Sequence, residues 1–241
     1  MERLDTALVA RGLCSSRTRA QSSIEEGNVT VNGLVCMKAS QKVSEEDVLQ
    51  VTEPLPFVGR GGYKLKFALA EFAIDLRGLS CLDIGASTGG FTDCMLQNGA
   101  ASVLSVDVGH DQFAPELAND SRVTLLEGTD IRTLSPETTG LPADFAACDV
   151  SFISLKQIIP VLPALLQPKA HAVLLVKPQF EAGRAALNKN GIVRDEKTRQ
   201  HVLRDIRAFA AASGFIPLGD CESPIKGGSG NVEYLLHLQK L

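Results

Sequence analysis

Along the first fifty residues apolar side chains return at helical spacing, at Leu4, Leu8, Leu13 and Ile24, through two short stretches. Gly12 reads as the stop between them, and Ser15-Ser16 as the cap of the second. Gly27-Asn28 then marks a turn, 29–31 a short strand, Asn32-Gly33 a hairpin turn and 48–51 a closing strand. Residues 52–62, TEPLPFVGRGG, are rich in Pro and Gly and read as a linker. From residue 63 the rhythm changes. Strands are predicted at 81–84, 102–108, 123–126, 144–152 and 172–176, with two more at 215–218 and 232–238. Helices are predicted at 91–98, 155–166 and 195–213. Alternation of this kind predicts an α/β, doubly wound unit over 63–241, following a small α+β unit over 1–51. Ligands of such sheets lie at the carboxyl ends of the central strands.

Composition narrows the partners. The net charge of −4 excludes a basic field over the whole chain, so a nucleic-acid surface needs local segregation of charge. Residues 1–51 hold six Lys/Arg against seven Asp/Glu. The cations Arg3, Arg11, Arg17 and Arg19 gather at the helix pair, Lys38 and Lys42 follow, and Arg60 lies in the linker. That segregation suits a phosphate-gripping face, the bland alternative being a solvated helix surface. The run RLDTALVARGLCSSRTRAQSSIEEGNVTVNG, ending in VNGLVCMKASQKVSEEDVLQV, resembles the alpha-L RNA-binding motif of a small-subunit ribosomal protein, tyrosyl-tRNA synthetases and pseudouridine synthases. Its six cysteines (Cys14, Cys36, Cys81, Cys94, Cys148, Cys221) form no CxxC pair, and no secretory signal opens the chain. Reduced thiols in a cytoplasmic protein, and no metal site, are therefore expected. The longest nearly apolar run, 158–166, is broken by Pro160 and Pro163 and is too short to span a bilayer, so no membrane partner is expected.

The chemistry concentrates after the first α/β strand, in Asp83-Ile84-Gly85-Ala86-Ser87-Thr88-Gly89-Gly90-Phe91. The spacing fails the GxGxxG dinucleotide pattern, and Phe91 stands where a Walker loop needs lysine. A phosphate-free cofactor, S-adenosyl-L-methionine, fits better: glycines allow close backbone approach. Asp83 near the strand end would position its ammonium group. Asp107, followed by Val108, would accept from the ribose hydroxyls, and Asp130, followed by Ile131, from the adenine amino group. Asp149 would lie near the sulfonium.

Four charged residues fall where a buried site would be: Lys64, Asp149 in CDVSF, Lys177 in AVLLVKPQF and Glu233 in GNVEYLL. A lysine ending an apolar strand is costly unless paired or functional. With GRGGYKL, CLDIGASTGGFTDCMLQNGA, VDVGHDQ, CDVSFISL, LLVKPQFE and GSGNVEYLL, the chain resembles the TlyA (haemolysin-A-like) family of ribosomal RNA 2′-O-methyltransferases and, more distantly, the FtsJ/RrmJ type. The resemblance implies a Rossmann-like S-adenosylmethionine-dependent methyltransferase fold with a small N-terminal RNA-binding domain. It maps a Lys-Asp-Lys-Glu catalytic set onto Lys64, Asp149, Lys177 and Glu233, and suggests cytidine as the target nucleoside. Lys177 is expected either as general base, its neutral form favoured by burial and by a nearby Lys64, or as a group that only orients the hydroxyl.

The expected partners are ribosomal RNA or ribosomal subunits; DNA, lacking the 2′-hydroxyl, is excluded. Arg60, Lys64 and Lys66 would grip backbone beside the site, and the chain is expected as a monomer or weak dimer. Phe152 reads either as a base-stacking ring or as a buried core ring. An amino-group methyltransferase is the enzymatic alternative, weakened by the lack of a Pro-Pro-aromatic motif at CDVSF. A ribosome-assembly factor without catalysis, or a membrane-lysing toxin, are the non-enzymatic ones.

Overall fold

The computed structural model describes residues 1–53, 55–139 and 141–241. The chain divides into two compact units, Met1–Arg60 and Gly61–Leu241. In the first, β1 (Glu2–Arg3) leads into α1 (Leu4–Ala10), α2 (Arg17–Glu25), β2 (Val29–Val31), β3 (Leu34–Val35), β4 (Lys42–Val43) and β5 (Leu49–Val51). Leu4, Ala7 and Leu8 share one face of α1 and bury fully with Ala20, Ile24, Val29 and Val43. The Ser16 hydroxyl caps α2 by accepting from the Arg19 amide. Asn32 and Gly33 both take positive φ, as the two-residue turn joining β2 to β3 demands. β3, β2 and β5 form one antiparallel sheet and β1 pairs β4. Within the stretch expected as a linker, Leu55, Phe57 and Val58 are buried.

The second unit begins with α3 (Gly61–Glu71), followed by β6 (Ser80–Ile84), α4 (Gly90–Gln97), β7 (Ser102–Val106), α5 (Pro115–Ala118) and β8 (Val123–Leu126). Then come α6 (Pro136–Thr139), β9 (Ala143–Cys148), α7 (Leu162–Leu165), β10 (Leu166–Val176), α8 (Pro178–Glu181), α9 (Glu196–Ala212), β11 (Phe215–Glu222) and β12 (Tyr234–Lys240). The strands form one mixed sheet ordered β11-β12-β10-β9-β6-β7-β8, in which β12 alone runs antiparallel to its neighbours. Residues 145–148 and 172–176 on the central strands are buried throughout, as a sheet covered on both faces requires.

Two expectations need correction. The helix predicted over 155–166 is a chain of short pieces: 3₁₀ turns at Leu155–Gln157 and Ile159–Val161, then α7. Pro160 and Pro163 lack the amide a continuous helix needs, and each instead sits in the first turn of a new piece. The strands predicted over 102–108 and 144–152 stop at Val106 and Cys148, so Asp107 and Asp149 occupy the loops that follow. Among the described residues no helix is long and apolar enough to cross a membrane.

Candidate active site

From β6 the chain moves outward to β7 and β8, then returns to place β9 on the other side of β6. Strand order therefore reverses between β6 and β9, and a crevice opens at their carboxyl ends. Gly85 and Asp149 meet there: the Asp149 amide donates to the Ile84 carbonyl at 2.9 Å. Gly85 has φ +82°, and a Cβ on it would lie 2.5 Å from the Asp149 carbonyl oxygen. No side chain is tolerated at that crossing.

The larger cleft, of about 540 Å³, is lined by Gly85, Ser87, Asp107, Val108, Asp130, Ile131, Asp149, Val150 and Phe152 among others. That volume lies in the range of small-molecule sites. Asp107 is fixed by two backbone donors, the Ser87 amide at 2.7 Å and the Gly109 amide at 2.6 Å. Asp130 caps the 3₁₀ turn Ile131–Thr133 and pairs with Arg132, whose hydrogen bonds hold its carboxyl below the usual range. The adenine contact expected of Asp130 thus competes with an arginine already in place. Asp83 differs more. It is fully buried beneath the loop, outside the cleft lining, and accepts from the Thr92 amide at 2.9 Å and hydroxyl at 2.6 Å. Burial pushes its carboxyl up to about 7, against the pull of the Thr92 bonds. Asp83 ties the glycine loop to α4, and its second oxygen has no protein partner.

The cleft fits S-adenosylmethionine better than a nucleotide phosphate. Its charged rim is acidic, which suits a cationic, phosphate-free ligand, and Val108, Ile131, Val150 and Ile158 offer apolar walls for a flat ring.

A smaller cleft adjoins it, sharing Gly85, Ser87, Asp149 and Ser151 and adding Ala86, Thr88, Gly90, Phe91 and Lys177. Gly89, with φ +93°, opens α4 and lines neither cleft. Here the four predicted charges converge. Lys64, from the first turns of α3, bonds Glu233 at 2.7 Å and faces Asp149 at 3.7 Å. Lys177, at the end of β10, lies 2.6 Å from Asp149 and donates to the Ser151 hydroxyl at 2.8 Å. Side-chain exposures of 9% for Lys64, 10% for Lys177 and 2% for Glu233 put this chain of charge in the interior. Two cations and two carboxylates balance, which makes that burial tolerable. The direct approach of Lys64 to Lys177 is replaced by an interposed carboxylate, Asp149.

Several residues of this site carried no signal of their own in the sequence. Ser151 holds Lys177, and Gln179 donates to Glu233 at 3.3 Å. Gly227 leaves the room that Glu233 fills, since a Cβ there would meet its carboxylate at 2.3 Å. Glu181 accepts from the Ser154 hydroxyl at 2.6 Å and the Leu155 amide at 2.8 Å, pinning the loop after β9 to α8. Phe152 is 90% exposed and lies tilted against Phe180 at 5.1 Å between ring centroids, so the buried-core reading of this ring is excluded.

In the first unit the arginines are largely engaged. Asp5, fully buried, accepts from Arg3 twice, from Arg17 and from Gln21. The two terminal Arg11 nitrogens donate to backbone carbonyls, of Asp47 and Ser44, at 2.6 Å. Arg60 pairs Glu25 at 3.2 Å and Arg19 reaches the Phe57 carbonyl at 3.5 Å, while Lys38 and Lys42 are exposed.

The FtsJ-like methyltransferase profile matches residues 57–240 and the S4 domain profile residues 2–49. YqxC of Bacillus subtilis, named as a candidate rRNA methyltransferase, is 49% identical over 240 residues, 98% of this chain and 85% of that one. TlyA of Mycobacterium tuberculosis, a 16S/23S rRNA (cytidine-2′-O)-methyltransferase, is 43% identical over 239 residues, 98% of this chain and 89% of its own. A solved structure of a candidate hemolysin from Streptococcus thermophilus superposes with a TM-score of 0.79 at 44% identity, covering 99% of this chain and 88% of that one. The chain belongs to the FtsJ-like, S-adenosylmethionine-dependent methyltransferases, of the TlyA type in which an S4 domain precedes the catalytic domain.

Proposed function

We propose that this protein methylates the 2′-hydroxyl of a ribose, that of cytidine, in ribosomal RNA, acting in the cytoplasm on ribosomal RNA or subunits. One observation carries the reading: Lys177 is held by Asp149 and Ser151 at a cleft that adjoins the cofactor-sized one. Its relatives named for cytidine 2′-O-methylation of rRNA support the choice of oxygen and nucleoside.

S-adenosylmethionine supplies an electrophilic methyl group when bound. Gly85 to Thr88, Gly90 and Phe91, Asp107 with Val108, and Asp130 with Ile131 are assigned to hold it, Asp107 through the ribose hydroxyls. A ribose hydroxyl is a poor nucleophile near neutrality and needs orientation and a proton acceptor. Lys177 orients the acceptor oxygen and, in its neutral amine form, would receive the hydroxyl proton as the methyl group passes from sulfur to that oxygen. Asp149 and Ser151 fix the position of its nitrogen. Lys64, bonded to Glu233, turns its remaining field on Asp149 and keeps that carboxylate directed between the lysines. Phe152, exposed on the cleft wall, offers a face on which a base stacks. The S4 domain is assigned to grip the RNA backbone through the exposed parts of Arg3, Arg17 and Arg19 with Lys38 and Arg60. Arg11 is better described as a brace between α1 and the 44–47 turn.

The test is transfer of radiolabelled methyl groups to purified ribosomal subunits and naked rRNA, followed by nucleoside mass spectrometry. A 2′-O-methylated cytidine made by the wild type and not by Lys177→Ala is the expected result. A methylated base, or equal activity of the variant, overturns the reading.

A further inference from the structure

The catalytic unit carries a cationic surface that the S4 domain does not account for. Residues 184–199 hold five cations, Arg184, Lys189, Arg194, Lys197 and Arg199, against Asp195 and Glu196. This is a built segment. The Asn188 side chain accepts from the Asn190 amide at 2.8 Å and the Ile192 amide at 3.0 Å. Asn231, 1% exposed, accepts from the Val193 amide at 3.1 Å and donates to the Gly191 carbonyl at 3.0 Å. Asn231 also closes the turn that starts at Gly227, through the Gly227 amide at 2.9 Å. Lys226, Lys189 and Arg194 therefore ride on two segments stitched together by one buried asparagine, two residues before Glu233 in the chain.

What these cations lack is as telling. Arg184, Lys189, Arg194 and Lys226 are exposed, and among the described residues none has a carboxylate within ion-pairing distance. Arg199 by contrast is turned onto the Val193 and Arg194 carbonyls, and Lys197 lies in the field of Asp195. In a protein of net charge −4, unpaired cations on a hydrogen-bonded platform beside a catalytic carboxylate call for an anion from outside.

We propose that the 184–194 loop with Lys226 is a second RNA-backbone grip, carried by the catalytic domain itself, that holds phosphates flanking the target nucleotide. The inference rests on RNA being the substrate. Phosphate contacts position a strand without reading its sequence, which is the role a site needs next to a hydroxyl that must be placed to within fractions of an ångström. Asn231 is the positioning residue of the grip, since it joins the loop to the segment that bears Glu233 just before β12.

The experiment compares the full chain with Lys189→Ala/Arg194→Ala/Lys226→Ala and with the charge-keeping swap Lys189→Arg/Arg194→Lys/Lys226→Arg. The probe is deproteinised ribosomal RNA, with affinity measured over a range of salt and methyl transfer followed in parallel. In the alanine triple, RNA affinity falls on the order of tenfold and the salt dependence loses about two to three phosphate contacts. Its turnover at saturating RNA and its S-adenosylmethionine affinity stay at wild-type values, and the charge-keeping swap behaves as wild type. Wild-type affinity and salt slope in the alanine triple overturn the grip while leaving the methyltransferase reading intact. Failure of the wild type to bind or methylate both this RNA and purified ribosomal subunits overturns both.

Discussion

Two clusters of charge, one in each unit, are built by different rules. In the S4 domain Asp5 is fully buried and saturated: Arg3 reaches it twice, Arg17 and Gln21 once each. The carboxylate has no oxygen left over to meet a ligand, and the cluster ties α1 to α2. In the catalytic domain the buried charges form an open chain, Glu233–Lys64–Asp149–Lys177–Ser151, that ends at a cleft. A lysine there keeps a donor position and faces space. Burial and pairing are common to both clusters. Spare hydrogen-bonding capacity next to a cavity is what separates chemistry from structure.

The comparison breaks most easily at Lys177. Replacing it by alanine is expected to lower methyl transfer about 10³-fold with S-adenosylmethionine affinity preserved, the size typical of a lost acid–base group. Equilibrium dialysis beside single-turnover kinetics checks this, and a tenfold loss or less would class the open chain with the saturated one. Removing residues 1–60 probes the other side. Cofactor binding should persist while affinity for ribosomal RNA falls on the order of a hundredfold, as expected when one of two linked grips is lost. Calorimetry with cofactor and filter binding with RNA separate the two.

Stability distinguishes the clusters next. Asp5→Ala should cost the S4 domain about 2–3 kcal/mol, since it removes the buried acceptor shared by Arg3, Arg17 and Gln21. Hydrogen exchange resolved by unit would show the loss confined to residues 1–60, and spread into the catalytic sheet would count against the domain division. The sign with pH is opposite in the two units. Arginine bonds depress the Asp5 carboxyl, so its contribution is present above the ordinary carboxylate range and fades as pH falls through and below it. Asp83 is raised to about 7 by burial, so the folded domain keeps a proton the unfolded chain has lost, and stability declines between about pH 4 and 7. Asp83→Asn should therefore match the wild type near pH 4 and exceed it by a few kcal/mol near pH 8. Thermal melts at the two pH values test this effect.

Much of this was legible in the residues. The turn at Asn32-Gly33, the Ser16 cap, the glycine loop and the strand alternation follow from local rules that need no partner. So do the four site charges, because a lysine or carboxylate inside an apolar run is anomalous wherever the chain goes. Local pattern misled in three places, once for a local reason and twice because a group on another element intervened. Leu155 to Leu165 is apolar enough for a helix, yet two prolines cut it into short turns. Asp83 reads like a ligand, but the packing of α4 against β6 consumes it through Thr92. Arg11 reads like a phosphate contact, but the 44–47 turn, more than thirty residues away, takes its guanidinium.

By itself, then, the sequence determined the order of elements, the identity of the charged groups and the family, because each depends on residue type and near-neighbour spacing. Only the tertiary structure decided which charges are spent and which are free. That depends on groups far apart in the chain, such as Lys64 and Glu233 or Val193 and Asn231, reaching hydrogen-bonding distance. Hydrogen bonds fail within about an ångström of misplacement, and no pattern along one dimension carries that precision.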